Sequence, residues 1–223
     1  MVENSISRVI QHLIEQDPSI EDALERGYAN FSGIARTLKP KAEGLLGKKV
    51  TMEGLITAVK RAKAEYVHKQ DFQKIIAESI INLRTDVAKM SLEKTRKNLE
   101  KARLASADYP EAFFQVLEGT TTLTLITDQR IIEEVQAVFK DEEKLEEKQN
   151  LAAITVQSPH GIVGTSGCIV AFYNPIARSQ INIEETVSCF TETMIVLRME
   201  DAARAFSILT DLISNARKTA VKK

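Results

Sequence analysis

The chain has 223 residues, 43% hydrophobic and 27% charged, with a formal net charge of −1. That balance fits a soluble globular protein with room for two or three small domains. It excludes a strongly basic nucleic-acid binder or a polybasic membrane protein, though not a local basic patch. No apolar run reaches membrane-spanning length, and the N-terminal MVENSISRVI lacks the basic-then-apolar pattern of a signal peptide. The expected location is cytoplasmic.

Residues 1–70 read as a helical module. Ile6, Val9, Ile10, Leu13 and Ile14 recur at helical spacing and stop before Asp17-Pro18. Ser19 with Asp22 resembles a capping box for a short helix that Gly27 ends. Phe31, Ile34, Ala35 and Leu38 share one face of a third helix, predicted to break at Pro40. Thr51 is placed to cap a fourth, with Met52, Leu55, Ile56 and Val59 inward.

Beyond residue 78 the period changes. Ile81, Leu83, Thr85 and Val87 alternate with polar residues and predict a strand. A turn near Lys89, Met90, Ser91 and Leu92 leads to a charged helix over 91–105. Residues 113–117 and 120–127 predict a hairpin about Glu118-Gly119. Asp128 is placed to cap a helix with Ile131, Ile132, Val135, Val138 and Phe139 inward. The charge run 140–149 interleaves both signs and reads as a solvated linker.

The order then repeats: a strand over 151–157, a helix over 165–180, strands over 183–190 and 193–199, a helix over 200–214, and a basic frayed tail from Ala216. The expected class is α+β. It comprises the helical module and two ferredoxin-like βαββαβ units, 78–142 and 151–215, each with helices on one face of an antiparallel sheet. Cys168 and Cys189 both sit in apolar surroundings (SGCIV, VSCF) and are expected as buried, reduced thiols.

Residues 158–183, SPHGIVGTSGCIVAFYNPIARSQINI, carry the most information. A glycine-bearing turn before a helix lets a ligand approach the main chain, and the helix start offers unpaired N–H groups to a carboxylate. Read by itself, such a turn is more often only a turn. The segment resembles the ACT domain of aspartate kinases. In that family an apolar strand leads to a Gly-Thr-Pro-Gly turn, a helix, and Gly-Ile-Asn-Ile opening the next strand. Here stand Thr155-Val156, then Gly164-Thr165-Ser166-Gly167, then Gln180-Ile181-Asn182-Ile183. The resemblance covers residues 151–215 and implies a domain that binds a small effector, commonly an amino acid. The contacts it implies are His160, Gly161, Ile162, Val163, Gly164, Thr165 and Ser166, with Asn182 and Ile183 across from them. Residues 78–142 share the element order alone and read as a degenerate ACT-like unit that binds nothing itself. The resemblance further implies homo-oligomers through ACT sheets. The whole chain resembles free-standing archaeal ACT-domain regulators of amino-acid metabolism, with no kinase domain.

The N-terminal module gathers Arg36, Lys39, Lys41, Lys48, Lys49, Lys60, Arg61 and Lys63 against Glu43 and Glu53. A helix-turn-helix there, ahead of a βαββαβ sensor, resembles the leucine-responsive regulators in plan. Lys48, Lys49, Lys60 and Arg61 are its candidate DNA contacts. The predicted helices lie about a dozen residues apart, where the motif has three or four, and Glu53-Gly54 would open the recognition helix. No metal site is expected, because His12, His68 and His160 lie in three separate segments without paired ligands. No cofactor is expected, and neither a Walker loop nor a nucleophile elbow is present. The expected function is therefore a non-enzymatic allosteric regulator signalling to DNA or to a biosynthetic enzyme. The alternative is an oligomerisation protein whose ACT sheet takes no ligand.

Overall fold

The computed structural model describes residues 5–25, 27–65 and 72–220. His68 and the last residues of the tail lie outside them. Contacts divide the chain into two units, Met1–Gln70 and Asp71–Lys223.

In the first unit the Ser5 hydroxyl accepts from the Arg8 N–H and opens α1 (Ile6–Glu15), whose Val9, Ile10, Leu13 and Ile14 are buried. Asp17, rather than Ser19, starts α2 (Pro18–Glu25). Its Oδ1 accepts from the N–H groups of Ser19 and Ile20, and Pro18 needs no partner at the first helical position. The third helix, α3 (Phe31–Leu46), is capped by Asn30 and does not break at Pro40. Pro40 faces solvent, so the hydrogen bond its ring removes falls on the wet side of the helix. A left-handed Gly47 ends α3, and Thr51 Oγ1 accepts from the Gly54 N–H to start α4 (Met52–Glu65). Leu24, Leu38, Leu55 and Val59 join Ile10 and Ile14 in one core.

The second unit begins with α5 (Phe72–Glu78) and continues as β1 (Ile80–Glu93), α6 (Arg96–Asp108), β2 (Phe114–Glu118), β3 (Thr122–Asp128), α7 (Ile132–Val138), β4 (Lys144–Gln157), α8 (Cys168–Arg178), β5 (Glu185–Cys189), β6 (Glu192–Arg198) and α9 (Met199–Ala220). All pairings are antiparallel, in the order β2-β3-β1-β4-β6-β5. The two central strands, 14 residues each, are common to both halves of the sheet.

Two of the three register shifts in the β1–β4 ladder set this architecture; the third lies at its far end, between Ser91 and Leu92. Between Arg84 and Val87, β1 holds one more residue than β4; between Leu151 and Lys148, β4 holds one more than β1. The extra residues are Asp86 and Asn150, both left-handed with φ 55°. A short polar side chain makes that conformation tolerable in a non-glycine residue. Each bulge turns the following residues over. Hence Ile81 faces the helices with Val156, whereas Val87 faces the other way with Leu151.

The helices lie on one face. There Met90, Leu92, Leu123 and Leu125 pack under α6 and α7, and Ile154, Val156, Ile195 and Leu197 under α5, α8 and α9. The opposite face buries Val87, Ile126, Leu151, Ala153 and Val196, none more than 1% exposed, although among the described residues no helix of this unit joins that cluster. The sheet stays open, with β2 and β5 at its edges, and curls toward this face instead. Lys89 on β1 and Glu185 on β5 stand three ladder steps apart, and their long side chains meet across this face at 3.7 Å.

The structure corrects several sequence expectations. Residues 89–92 are strand, and α6 starts only at Arg96. The expected linker over 140–149 is, from Lys144 onward, the first half of β4. Asp128 makes no cap hydrogen bond to the following helix. Instead, its carboxylate accepts from Arg84 and from the Phe113 N–H. Cys168 is buried but Cys189 is exposed. The C-terminal residues expected to fray continue α9 through Ala220. Replacing the fully buried Phe172 of α8 by Ala should cost about 3–5 kcal/mol. The check is a lowered urea midpoint at unchanged m-value.

Candidate functional site

The turn between β4 and α8 is built by local hydrogen bonds. Residues His160–Gly164 form one 3-10 turn, closed by the Ile162 N–H to Pro159 O at 3.0 Å and the Thr165 N–H to Ile162 O at 3.3 Å. The Thr165 hydroxyl donates to Gly161 O at 2.8 Å and pins the exit. Ile162 points into the core, while Val163 is 60% exposed. Gly167 is left-handed (φ 86°), which places the chain at the start of α8 without a Cβ in the way. It provides no side-chain cap, so the first N–H groups of α8 are unclaimed by any capping side chain. Space beside Gly164 is open; at Gly161 a Cβ would stand 3.4 Å from Ile75.

The structure thus gathers His160, Gly161, Ile162, Val163, Gly164, Thr165 and Ser166 around one helix start. A residue that sequence reasoning missed joins them: the Phe190 ring meets His160 edge-on at 5.3 Å between centroids. Phe190 is left-handed (φ 54°) and 69% exposed. Asn182 and Ile183 are not at this end. The ladder pairs Gln157 and Cys189 with Glu192, and Leu151 with Arg198. The start of β5 therefore lies a helix length, roughly 16 Å, from the turn. Gln180, in the resembling family's glycine position, takes the left-handed conformation itself (φ 57°).

Asn182 donates to Glu184 at 3.3 Å and borders a charged cluster on the inner face. Lys89, only 5% exposed, donates to Glu184 O at 2.8 Å and pairs with Glu146 at 2.8 Å. Lys148 bridges Glu146 and Glu184, and Arg198 approaches Glu184 at 3.4 Å. The Lys148 ammonium holds the Glu184 carboxyl below the usual carboxylate range, with burial pulling the other way. Lys89 and then Lys148 do the same for Glu146, and Glu184 raises Lys148 in turn. Burial pushes the Cys168 thiol up, which leaves it a poor nucleophile at neutral pH.

In the first unit Lys48, Lys49, Lys60 and Arg61 are all exposed. Because α3 continues through Pro40, only residues 47–51 separate it from α4. Among the described residues no group of His, Cys, Asp or Glu is placed to hold a metal ion, and no helix is long and apolar enough to cross a membrane.

No protein-family model matches the chain, and the search of curated proteins returns no match. Solved structures do match. The ligand-free regulatory subunit of aspartate kinase from Thermus thermophilus aligns with 59% of this chain and 95% of its own, at 14% identity and a TM-score of 0.51. The regulatory subunit from Thermus flavus matches to the same extent. Aspartate kinase from Synechocystis aligns with 62% of this chain at 16% identity and a TM-score of 0.53. This chain spans only 27% of that enzyme. Over about three-fifths of its length the chain shares the ACT-like fold of aspartate kinase regulatory subunits.

Glu184 and Glu146 have lowered folded-state pKa values, so their contribution to stability is present above the unfolded carboxylate pKa, about 4.3. It is lost as pH falls through the lower folded values. The raised Lys148 pKa makes its share complete below its unfolded pKa and lost as pH rises through the folded one. Urea midpoints measured from pH 8 to pH 3 should fall less steeply below pH 4 in Glu184→Gln than in the parent.

Proposed function

We propose that the protein is an allosteric regulator that binds an amino acid at the β4–α8 turn and passes the event to a partner. The observation that carries this reading is the start of α8. Its N–H groups are uncapped by any side chain, it is reached over the exposed Gly164, Ser166 and Gly167, and it lies within an ACT-like fold. A helix N-terminus favours a carboxylate, and uncovered backbone lets one approach. His160, Val163 and Phe190 give the ligand a partly apolar flank. The two halves of the sheet serve as tandem ACT units. The half that contains α6 begins its helix at Arg96, behind a Thr95 cap whose hydroxyl accepts from the Asn98 N–H, and takes no ligand.

Regulation requires the effector to favour one arrangement over another. The partner is duplex DNA or a biosynthetic enzyme, reached through the helical unit. The short connection between α3 and α4 and the exposed Lys48, Lys49, Lys60 and Arg61 support the DNA branch. Charge reversal of Lys60 and Arg61 should abolish salt-sensitive retention on duplex DNA; a parent protein that is not retained at low salt rules that branch out.

A thermal-shift screen against the twenty amino acids tests the central claim. A ligand at a hundred times its Kd adds about 2.7 kcal/mol. Gly164→Asp places a carboxylate in open space beside the turn, so the fold should survive. Affinity at the turn should fall at least tenfold. A panel without any hit overturns the proposal, and hits that Gly164→Asp leaves unchanged remove the turn from it.

A further inference from the structure

The two bulges flank the Val87–Leu151 pair, and the corners beside them are built differently. At the first corner Asp128, paired with Val87, lies between two guanidinium groups. Arg84 Nη1 donates to its Oδ1 at 2.9 Å, and Arg130 Nη2 donates to its Oδ2 at 3.4 Å. The Phe113 N–H donates to Oδ2 at 3.0 Å, and the Arg84 guanidinium lies 5.0 Å over the Phe113 ring. The corner is filled by its own side chains.

At the second corner the charges are inverted. Arg198, paired with Leu151, stands where Asp128 stands. Counting from the bulge, Lys148 takes the place of Arg84, and Glu200 that of Arg130. Glu184 stands just ahead of β5, as Phe113 stands just ahead of β2. A guanidinium now lies between two carboxylates, and no ring closes the corner. A cavity of about 340 Å³ opens there, with Lys148, Leu151, Glu184, Arg198, Met199 and Glu200 in its wall.

Arg198 is weakly held. Its side chain is 60% exposed, with pairs at 3.4 Å to Glu184 and 3.5 Å to Glu200. Those bonds use Nε and Nη1; among the described residues none uses Nη2. A guanidinium in that state can take a carboxylate through two parallel bonds. Glu200, 73% exposed, is free to turn toward an ammonium group, while Lys148 holds Glu184 in place. A dianion would meet two carboxylates and a bare cation would meet Lys148 and Arg198, so the charges select a zwitterion. Leu151 and Met199 supply an apolar wall.

We infer that this cavity binds a free α-amino acid, its carboxylate on Arg198 and its ammonium group on Glu200, beside the buried Glu184 that Lys148 holds. The inference rests on the amino-acid-binding reading above and adds a second location, separate from the β4–α8 turn. The site joins the β4 bulge, the entry to β5 and the start of α9. An occupant therefore acts on the point where the sheet bends.

Isothermal titration of the full chain with each stabilising amino acid tests this, using the parent, Gly164→Asp and Arg198→Met. Far-UV circular dichroism checks the fold, and Arg198→Lys replaces the methionine variant should it fail to fold. Two sites are expected in the parent. Gly164→Asp should keep the cavity site, while Arg198→Met should weaken it at least tenfold. The matching amine without its carboxylate and the matching acid without its amino group should both fail to bind there. Unchanged isotherms in the Arg198 variants overturn the cavity site and leave the turn standing. Loss of all binding in Gly164→Asp does the same. Binding that survives Gly164→Asp whole but vanishes with Arg198 removes the turn and keeps the cavity. Absence of binding by any amino acid overturns both.

Discussion

The second unit depends on two compensating bulges. Asp86 and Asn150 each add a residue to one of the central strands, on either side of the Val87–Leu151 pair. Because side chains alternate with period two, a single extra residue exchanges the faces of everything beyond it. Asp86 on one strand and Asn150 on the other let both strands exchange faces together about the Val87–Leu151 pair and keep their pairing. Left-handed conformations outside glycine cost on the order of 1–2 kcal/mol each, and the Gln129 side chain, which accepts from the Asn150 N–H, helps to hold one of them. The return is a sheet that bends enough to bury the face opposite its helices.

That bend puts Lys89 inside. A buried ammonium is tolerable only with close acceptors, and Glu184 O, Glu146 and Glu185 supply them. Lys148 then balances Glu146 and Glu184. The cluster ties strands that are not ladder neighbours, which the hydrophobic contacts at the centre of the inner face cannot do with the same directionality. Folding and site chemistry meet here: the groups that hold the bend also line the cavity beside it.

The β4–α8 turn has a different logic. Its shape is local, set by the 3-10 hydrogen bonds, the Thr165 hydroxyl and the left-handed Gly167. Ile162 in the core, Gly161 beside Ile75 and the Phe190 ring against His160 tie it to the rest. A turn fixed by so few long-range contacts keeps its backbone accessible, which a ligand-binding loop requires.

The sequence by itself determined the helical character of the first unit, the repeated order of strands and helices, the glycine turn and the resemblance to ACT domains. Those features are written in local periodicity and turn chemistry. It misread what depended on distant partners. Ile81, Leu83, Thr85 and Val87 look like one face of a strand, and only the pairing with β4 reveals that Val87 has crossed to the other face. The charged residues from Lys144 to Lys148 look like linker, because nothing local shows that Lys89 and Glu184 will neutralise them. Asn182 looked like a partner of the turn, but the α8 helix carries it to the opposite end of the strands. Bulges, buried ion pairs and strand ends are decided by residues far apart in the chain, so only the tertiary structure could place them.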